Sequence, residues 1–367
     1  MGLFDPYELK SVTLRNRIAV SPMCQYSATD GVANEWHRTH LSGLARGGAG
    51  LIVVEATAVE PEGRITPNCL GLWNDEQAEA LASIVQEIKR YGAVPGIQIA
   101  HAGRKASANR PWEGDDHIPL GDAGSWETIA PSAVAQGGGL GRVPREMTLS
   151  DIERVRAAFA AAAQRARDIG FEWLNLHFAH GYLAQNFFSP HSNLRTDQYG
   201  GTAAGRSRFM LETFDAVRDV WPEAFPLTTR FGVVNFDGED EQTLPEAIDV
   251  LNGLKSKGLD LVDVSLGFTT GASRPASGNG FLIPVAEQVR RETGLPTSTG
   301  WNISSPRMAD EAISENKIDL VMLARPMLAD PHWPYAAAKA LGVSEPGMRT
   351  LPPPYAHWLD RYRYDAA

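Results

Sequence analysis

His177, His180 and Tyr182 stand three and two residues apart behind a short apolar run, Trp173-Leu174-Asn175-Leu176. The run reads as a buried strand ending at His177, so both imidazoles and the phenol fall at its C-terminal end or in the following loop. Groups of these types, so placed, suit hydrogen bonding to a ligand oxygen and proton donation to a neighbouring carbon. The alternative is a pair of histidines satisfied by nearby backbone. The strand-end position, with Gly181 beside His180, favours a cleft, where perturbed polar groups gather.

Such groups need a scaffold to hold them. Strand-like runs at 17–20, 51–55, 94–100, 173–177, 227–231, 261–265, 297–300 and 320–324 alternate with amphipathic helical runs at 36–46, 75–91, 149–169, 205–220, 244–257, 284–292, 306–314 and 335–341. Eightfold alternation of this kind predicts an α/β fold, a single (β/α)8 TIM barrel occupying 1–367. One long Gly-, Pro- and Trp-rich excursion, 101–148, follows the third strand, and its length predicts a lid over the barrel mouth. A tail from 351 onward follows the eighth helix, and its proline run, Pro352-Pro353-Pro354, predicts an extended start.

In such a barrel the reacting groups come from the C-terminal ends of several strands. Those ends carry Ser21-Pro22-Met23-Cys24-Gln25-Tyr26, Glu55-Ala56-Thr57, Gln98 with His101 to Lys105 beyond it, His177, Arg230, Ser265-Leu266-Gly267, Gly300-Trp301 and Ala324-Arg325-Pro326. No lysine stands at a strand tip, which argues against Schiff-base chemistry. No carboxylate pair suits glycoside hydrolysis. No Asp, Glu or further His at the neighbouring ends completes a coordination shell around His177 and His180, so no metal is expected. The donors are neutral or cationic and suit negative charge on a bound oxygen or an electron-rich ring. Gly300, Ala324 and Arg325 lie where barrels grip phosphate, and Arg230 and Gln98 stand on the opposite wall. Flavin mononucleotide (FMN) fits that span, with Gln98 at the pyrimidine edge and Arg230 near N1 and O2.

Composition narrows the setting. A net charge of −10 argues against nucleic acid or an anionic membrane as partner. Cys24 and Cys69 form no disulfide framework, and two cysteines are too few for an iron-sulfur cluster. The N-terminus lacks a signal-like pattern and no apolar run nears the ~20 residues of a membrane span, so a cytoplasmic protein is expected.

Five motifs in order resemble the Old Yellow Enzyme family of flavin-dependent ene reductases, in the bacterial branch of xenobiotic and thermophilic-like reductases. They are 21–26, 55–59 with Gly63-Arg64, 98–105, 177–183 and 195–201, and the likeness covers essentially the whole chain. The resemblance implies that Ser21, Pro22, Met23, Cys24, Ala56, Gln98, Arg230, Gly300, Trp301, Ala324 and Arg325 surround the flavin, with the Cys24 thiol tuning it. It implies that His177 and His180 bind the substrate oxygen, that Tyr182 donates the proton, and that Tyr26, Trp301 and Trp358 wall the substrate pocket. NADPH or NADH is the expected reductant, activated alkenes the expected substrates, and a homodimer or larger even-numbered homo-oligomer the expected assembly, with Trp358 crossing to a neighbour's site. Ala324 departs from the glycine that many members carry there. The alternatives are a metal-assisted barrel hydrolase or lyase, and a non-catalytic flavin-binding protein.

Overall fold

The computed structural model describes residues 1–362. Its centre is a closed barrel of eight parallel strands: β1 (Ile18–Val20), β2 (Leu51–Ala58), β3 (Val94–Ala100), β4 (Trp173–Phe178), β5 (Leu227–Val234), β6 (Leu261–Leu266), β7 (Thr297–Thr299) and β8 (Leu320–Leu323). Each strand pairs with the next, and Val321↔Ile18 and Leu323↔Val20 close β8 onto β1. All the strands are buried along their whole length, as expected of parallel strands covered on both faces. That is why they appear in the sequence as short apolar runs.

The covering helices are α1 (Glu35–Arg46), α2 (Asp75–Arg90), α3 (Leu149–Asp168), α4 (Leu183–Phe188), α5 (Ala203–Arg218), α6 (Asp240–Ser256), α7 (Ile283–Thr293), α8 (Pro306–Ser314), α9 (Arg325–Ala329), α10 (Trp333–Ala340), α11 (Pro346–Thr350) and α12 (Pro353–Leu359). Asn34, Asn74 and Thr148 start α1, α2 and α3 with reciprocal capping boxes. Each such cap stabilises its helix by about 1 kcal/mol. A hairpin, Tyr7–Leu9 against Val12–Leu14, packs Tyr7, Val12 and Leu14 onto Leu51, Trp173 and Leu320 and closes the N-terminal end of the barrel.

Several elements differ from the sequence expectation for identifiable reasons. β7 stops before Gly300, because there the chain passes so close to β8 that a Cβ would lie 1.8 Å from the Met322 carbonyl oxygen. α4 has no counterpart among the expected helices; all six of its residues are buried, so it shows no amphipathic period. The tail is not extended beyond Pro352. Pro353 and Pro354 open α12, where a missing N–H costs nothing in the first turn. Asp360 then ties α12 back by accepting from the Gly347 and Met348 N–H groups at 2.6 and 2.9 Å. Residues 363–367 of the expected tail lie outside the described residues.

The 101–148 excursion contains single turns, the antiparallel bridges Ala108↔His117 and Gly137↔Leu140, and a short parallel pairing, Ile129–Ala130 with Arg145–Glu146. It reaches the C-terminal end of the barrel through Arg104, which is buried and donates to the carbonyls of Val134, Ala135 and Thr269. Trp112, also on this segment, packs edge-on to Tyr26 with ring centroids 5.7 Å apart. Among the described residues no helix is long and apolar enough to cross a membrane.

Candidate active site

β4 delivers His177 to the mouth as the register partner of Arg230 on β5. Burial, helped by the nearby charges of Arg230 and Lys105, drives the His177 pKa well below its ordinary value, so the ring is neutral. Its Nδ1 accepts from the Ala179 N–H at 3.3 Å, which leaves the proton on Nε2. His180 is neutral for the same leading reason, burial. Its Nε2 lies 2.8 Å from Ser265 Oγ, at the end of β6. That hydroxyl already accepts from Trp301 Nε1 at 3.1 Å and from Arg230 Nε at 3.4 Å. A serine oxygen has two lone pairs, so its own proton goes to His180 Nε2 and the imidazole N–H is on Nδ1. The two rings and Tyr182 meet edge to face, with centroids 5.0 Å apart for the histidines and 4.9 Å for His177 and Tyr182. Burial also raises the Tyr182 phenol well above its ordinary range, so it keeps its proton.

His180 has a left-handed backbone, φ 60°, uncommon for a non-glycine residue. Lys105 fixes that turn, donating from Nζ to the carbonyls of His180 at 2.6 Å and Phe268 at 3.3 Å. The sequence argument that no lysine stands at a strand tip therefore needs amending. Lys105 follows β3, yet its ammonium reaches the mouth, 5.8 Å from the Tyr182 ring centroid, and burial lowers its pKa to about 8.

Beside these groups lies a cavity of about 630 Å3 lined by eight of the expected residues: Ser21, Pro22, His180, Arg230, Gly300, Trp301, Ala324 and Arg325. Asn302, Ile303, Ser304, Met322 and Pro326 complete it. Arg325 is exposed and steadied by Asn302 Oδ1 at 3.0 Å. Gln98 is buried in the barrel; its amide donates to Asn175 Oδ1 at 2.8 Å, and Asn175 donates to Thr228 Oγ1 at 3.1 Å. Gln98 thus keeps its carbonyl and one N–H for another partner. Met23, Cys24, Ala56, Gln98, Tyr26, His177 and Tyr182 do not line the cavity itself. Trp358 is 71% exposed on α12 and lines no part of it. Sequence reasoning named Ser265 and Lys105 only as strand-end residues and missed Asn302. Their roles depend on where side chains from different loops meet.

A profile of the NADH:flavin oxidoreductase / NADH oxidase family matches residues 2–343. The chain belongs to that family. As a member of it, the Old Yellow Enzyme family, this flavin oxidoreductase has FMN as its cofactor and a reduced nicotinamide as its reductant. It is 42% identical over 346 residues to an NADPH dehydrogenase of Geobacillus thermodenitrificans, covering 93% of this chain and 95% of that one. Among solved structures it resembles morphinone reductase in complex with tetrahydroNAD, at 27% identity and a TM-score of 0.76, covering 94% of this chain and 92% of that one. A 2-naphthoyl-CoA reductase complex shares the fold, with a TM-score of 0.82 and 24% identity. There the oxidoreductase covers 94% of its own length and spans about half (53%) of the longer chain.

The donor set fits a flavin phosphate ester. Arg325, exposed, and Arg230, buried, both line the cavity, and the volume lies within the ~300–1,000 Å3 usual for cofactor sites. On β2, Glu55 is enclosed. Its Oε2 accepts from the Gln25 N–H at 3.0 Å, and its Oε1 stands 3.6 Å from His37 Nε2. Burial raises this carboxyl to about 8, whereas burial lowers His37 to about 4, so both are neutral at pH 7. The folded state therefore holds a proton that the unfolded chain releases near the ordinary glutamate value. Stability from this group is full below that value and declines as pH rises toward 8. Thermal melts of the holoprotein at pH 5 and pH 8 check this: the fall in Tm between them is smaller in Glu55→Gln than in the parent, and equal falls would remove Glu55 as the source.

Proposed function

We propose that this flavin oxidoreductase is an ene reductase that saturates electron-poor alkenes: enones, enals, nitroalkenes and related xenobiotics. The observation that carries this reading is the pair of neutral imidazoles, His177 with its proton on Nε2 and His180 with its proton on Nδ1, set edge to face beside the phenol of Tyr182. Two N–H donors converging on a carbonyl or nitro oxygen polarise the conjugated C=C and stabilise the enolate-like charge that builds as the β-carbon is reduced. Neutral donors suit this task, because the developing anion is met by dipoles already in place.

When bound, FMN supplies the hydride chemistry, taking a hydride from NADPH or NADH and giving one to the alkene. Ser21, Pro22, Met23, Cys24, Ala56, Gln98, Arg230, Gly300, Trp301, Ala324 and Arg325 are the residues assigned to hold it. Of these, Arg325 meets the phosphate, while Arg230 and Gln98 meet the ring. Burial keeps the Cys24 thiol protonated, so it serves as a neutral neighbour of the ring and not as a nucleophile. Tyr26 and Trp301 wall the alkene, and Tyr182 delivers the proton to the α-carbon, a general-acid step worth about 10²-fold. Trp358, exposed on α12, is assigned to the pocket of a second copy in a homodimer or larger even-numbered assembly, since a large exposed aromatic is characteristic of interface anchors.

Anaerobic absorbance spectroscopy tests the reaction. NADPH bleaches the flavin band and cyclohexenone restores it; a reduced band that no alkene reoxidises excludes the ene-reductase assignment. Tyr182→Phe leaves bleaching by NADPH unchanged and slows reoxidation by the enone tenfold or more by the general-acid magnitude. Equal slowing of both half-reactions takes the proton-donor role from Tyr182. Trp358→Ala raises KM for the enone without loss of flavin, and an unchanged KM removes Trp358 from the pocket of any copy.

A further inference from the structure

Beneath the mouth the barrel encloses a carboxylate, Asp263 on β6, which is 2% exposed. It is the register partner of Arg230 on β5 and of Ser298 on β7. Its Oδ2 lies 3.2 Å from Arg230 Nε, and among the described residues this is the ion pair that Arg230 makes. Neither carboxylate oxygen completes a hydrogen bond, and the Ser298 hydroxyl beside them is also without one. The void at this level is about 10 Å3, no larger than a single water, so bulk solvent does not screen the pair.

Enclosed carboxylates ordinarily neutralise themselves by taking a proton. Burial raises Asp263 to about 6, and the Arg230 guanidinium is the leading influence pulling the other way. The charged form at neutral pH therefore depends chiefly on that cation, with the neighbouring Ser298 hydroxyl a smaller influence in the same direction. The dependence runs in both directions, because Arg230 has no other carboxylate against it. On its far side the guanidinium donates from Nη1 to Ser21 Oγ at 3.1 Å and lines the cofactor cavity. Arg230 thus stands between a buried negative charge below and the flavin site above.

We propose that Asp263 is a positioning residue for the flavin site that acts through Arg230: its carboxylate aims the guanidinium at the cavity and offsets part of its charge, holding the flavin's reduction potential low. The inference rests on the assignment of Arg230 to the flavin ring. Two-electron reduction adds negative charge to the ring, so a cation facing it raises the potential, and a carboxylate behind that cation lowers it again. A low potential favours hydride donation to the alkene over hydride retention, which is the direction the oxidative half-reaction requires.

The test measures midpoint potentials of the purified holoproteins by dye equilibration. Asp263→Asn keeps the shape and removes the charge. At a fixed solution potential its reduced-to-oxidised flavin ratio is expected to rise about tenfold, close to 30 mV for a two-electron couple. Asp263→Glu keeps the charge and returns the potential toward that of the parent. An unchanged or more negative potential in Asp263→Asn overturns the proposal. So does failure of both variants to retain flavin at saturating FMN, which would assign Asp263 to packing alone. A parent protein without a flavin band would instead overturn the cofactor assignment and is distinguished by its spectrum.

Discussion

Closure of the parallel barrel is the constraint on which everything else depends. Eight strands of unequal length must each find two neighbours in register, and only when β8 has met β1 do all eight C-terminal ends converge around one mouth. His177 and Arg230 become neighbours because β4 and β5 are paired at that level, and Arg230 faces Asp263 because β5 and β6 are. Gly300 shows how tight the closure is: any side chain there would strike the backbone of β8, so the β7–β8 junction admits only glycine.

The mouth so formed separates charge from hydrogen bonding. Its cations are paired, exposed or met by carbonyls: Arg230 by Asp263, Arg325 at the surface beside Asn302, and Lys105 by the His180 and Phe268 carbonyls. Burial leaves its imidazoles, phenol and thiol neutral. In the proposed function, such an arrangement of fixed cations and neutral donors suits electron-rich species on both cofactor and substrate. Ser265 joins the two halves, since one hydroxyl meets Arg230, Trp301 and His180 and thereby sets which imidazole nitrogen carries the proton.

Much of this was legible in the amino-acid sequence. The eight strands are found within about three residues of their expected ends, because a strand buried on both faces leaves an apolar run that no surface element imitates. The helices with polar outer faces were equally plain. α4 was not, since a helix buried on every side carries no period to read. The tail was misread because proline favours an extended chain in isolation and a helix start once the following residues pack, as α12 does through Asp360.

Residue types and their order pointed to the chemistry proposed for this chain: His177, His180 and Tyr182 on one strand end, a cation near each of two others, and no cluster of acids beside them. Those are local facts, written one strand at a time. What each group does to the others was decided by tertiary structure alone. The proton position on His180 depends on a serine 85 residues away, the turn that presents His180 depends on a lysine 75 residues away, and the balance of Arg230 depends on a carboxylate one strand over. Hydrogen bonds and buried charges act across a few ångströms of space, and sequence spacing says nothing about which distant residues the barrel will bring within that reach.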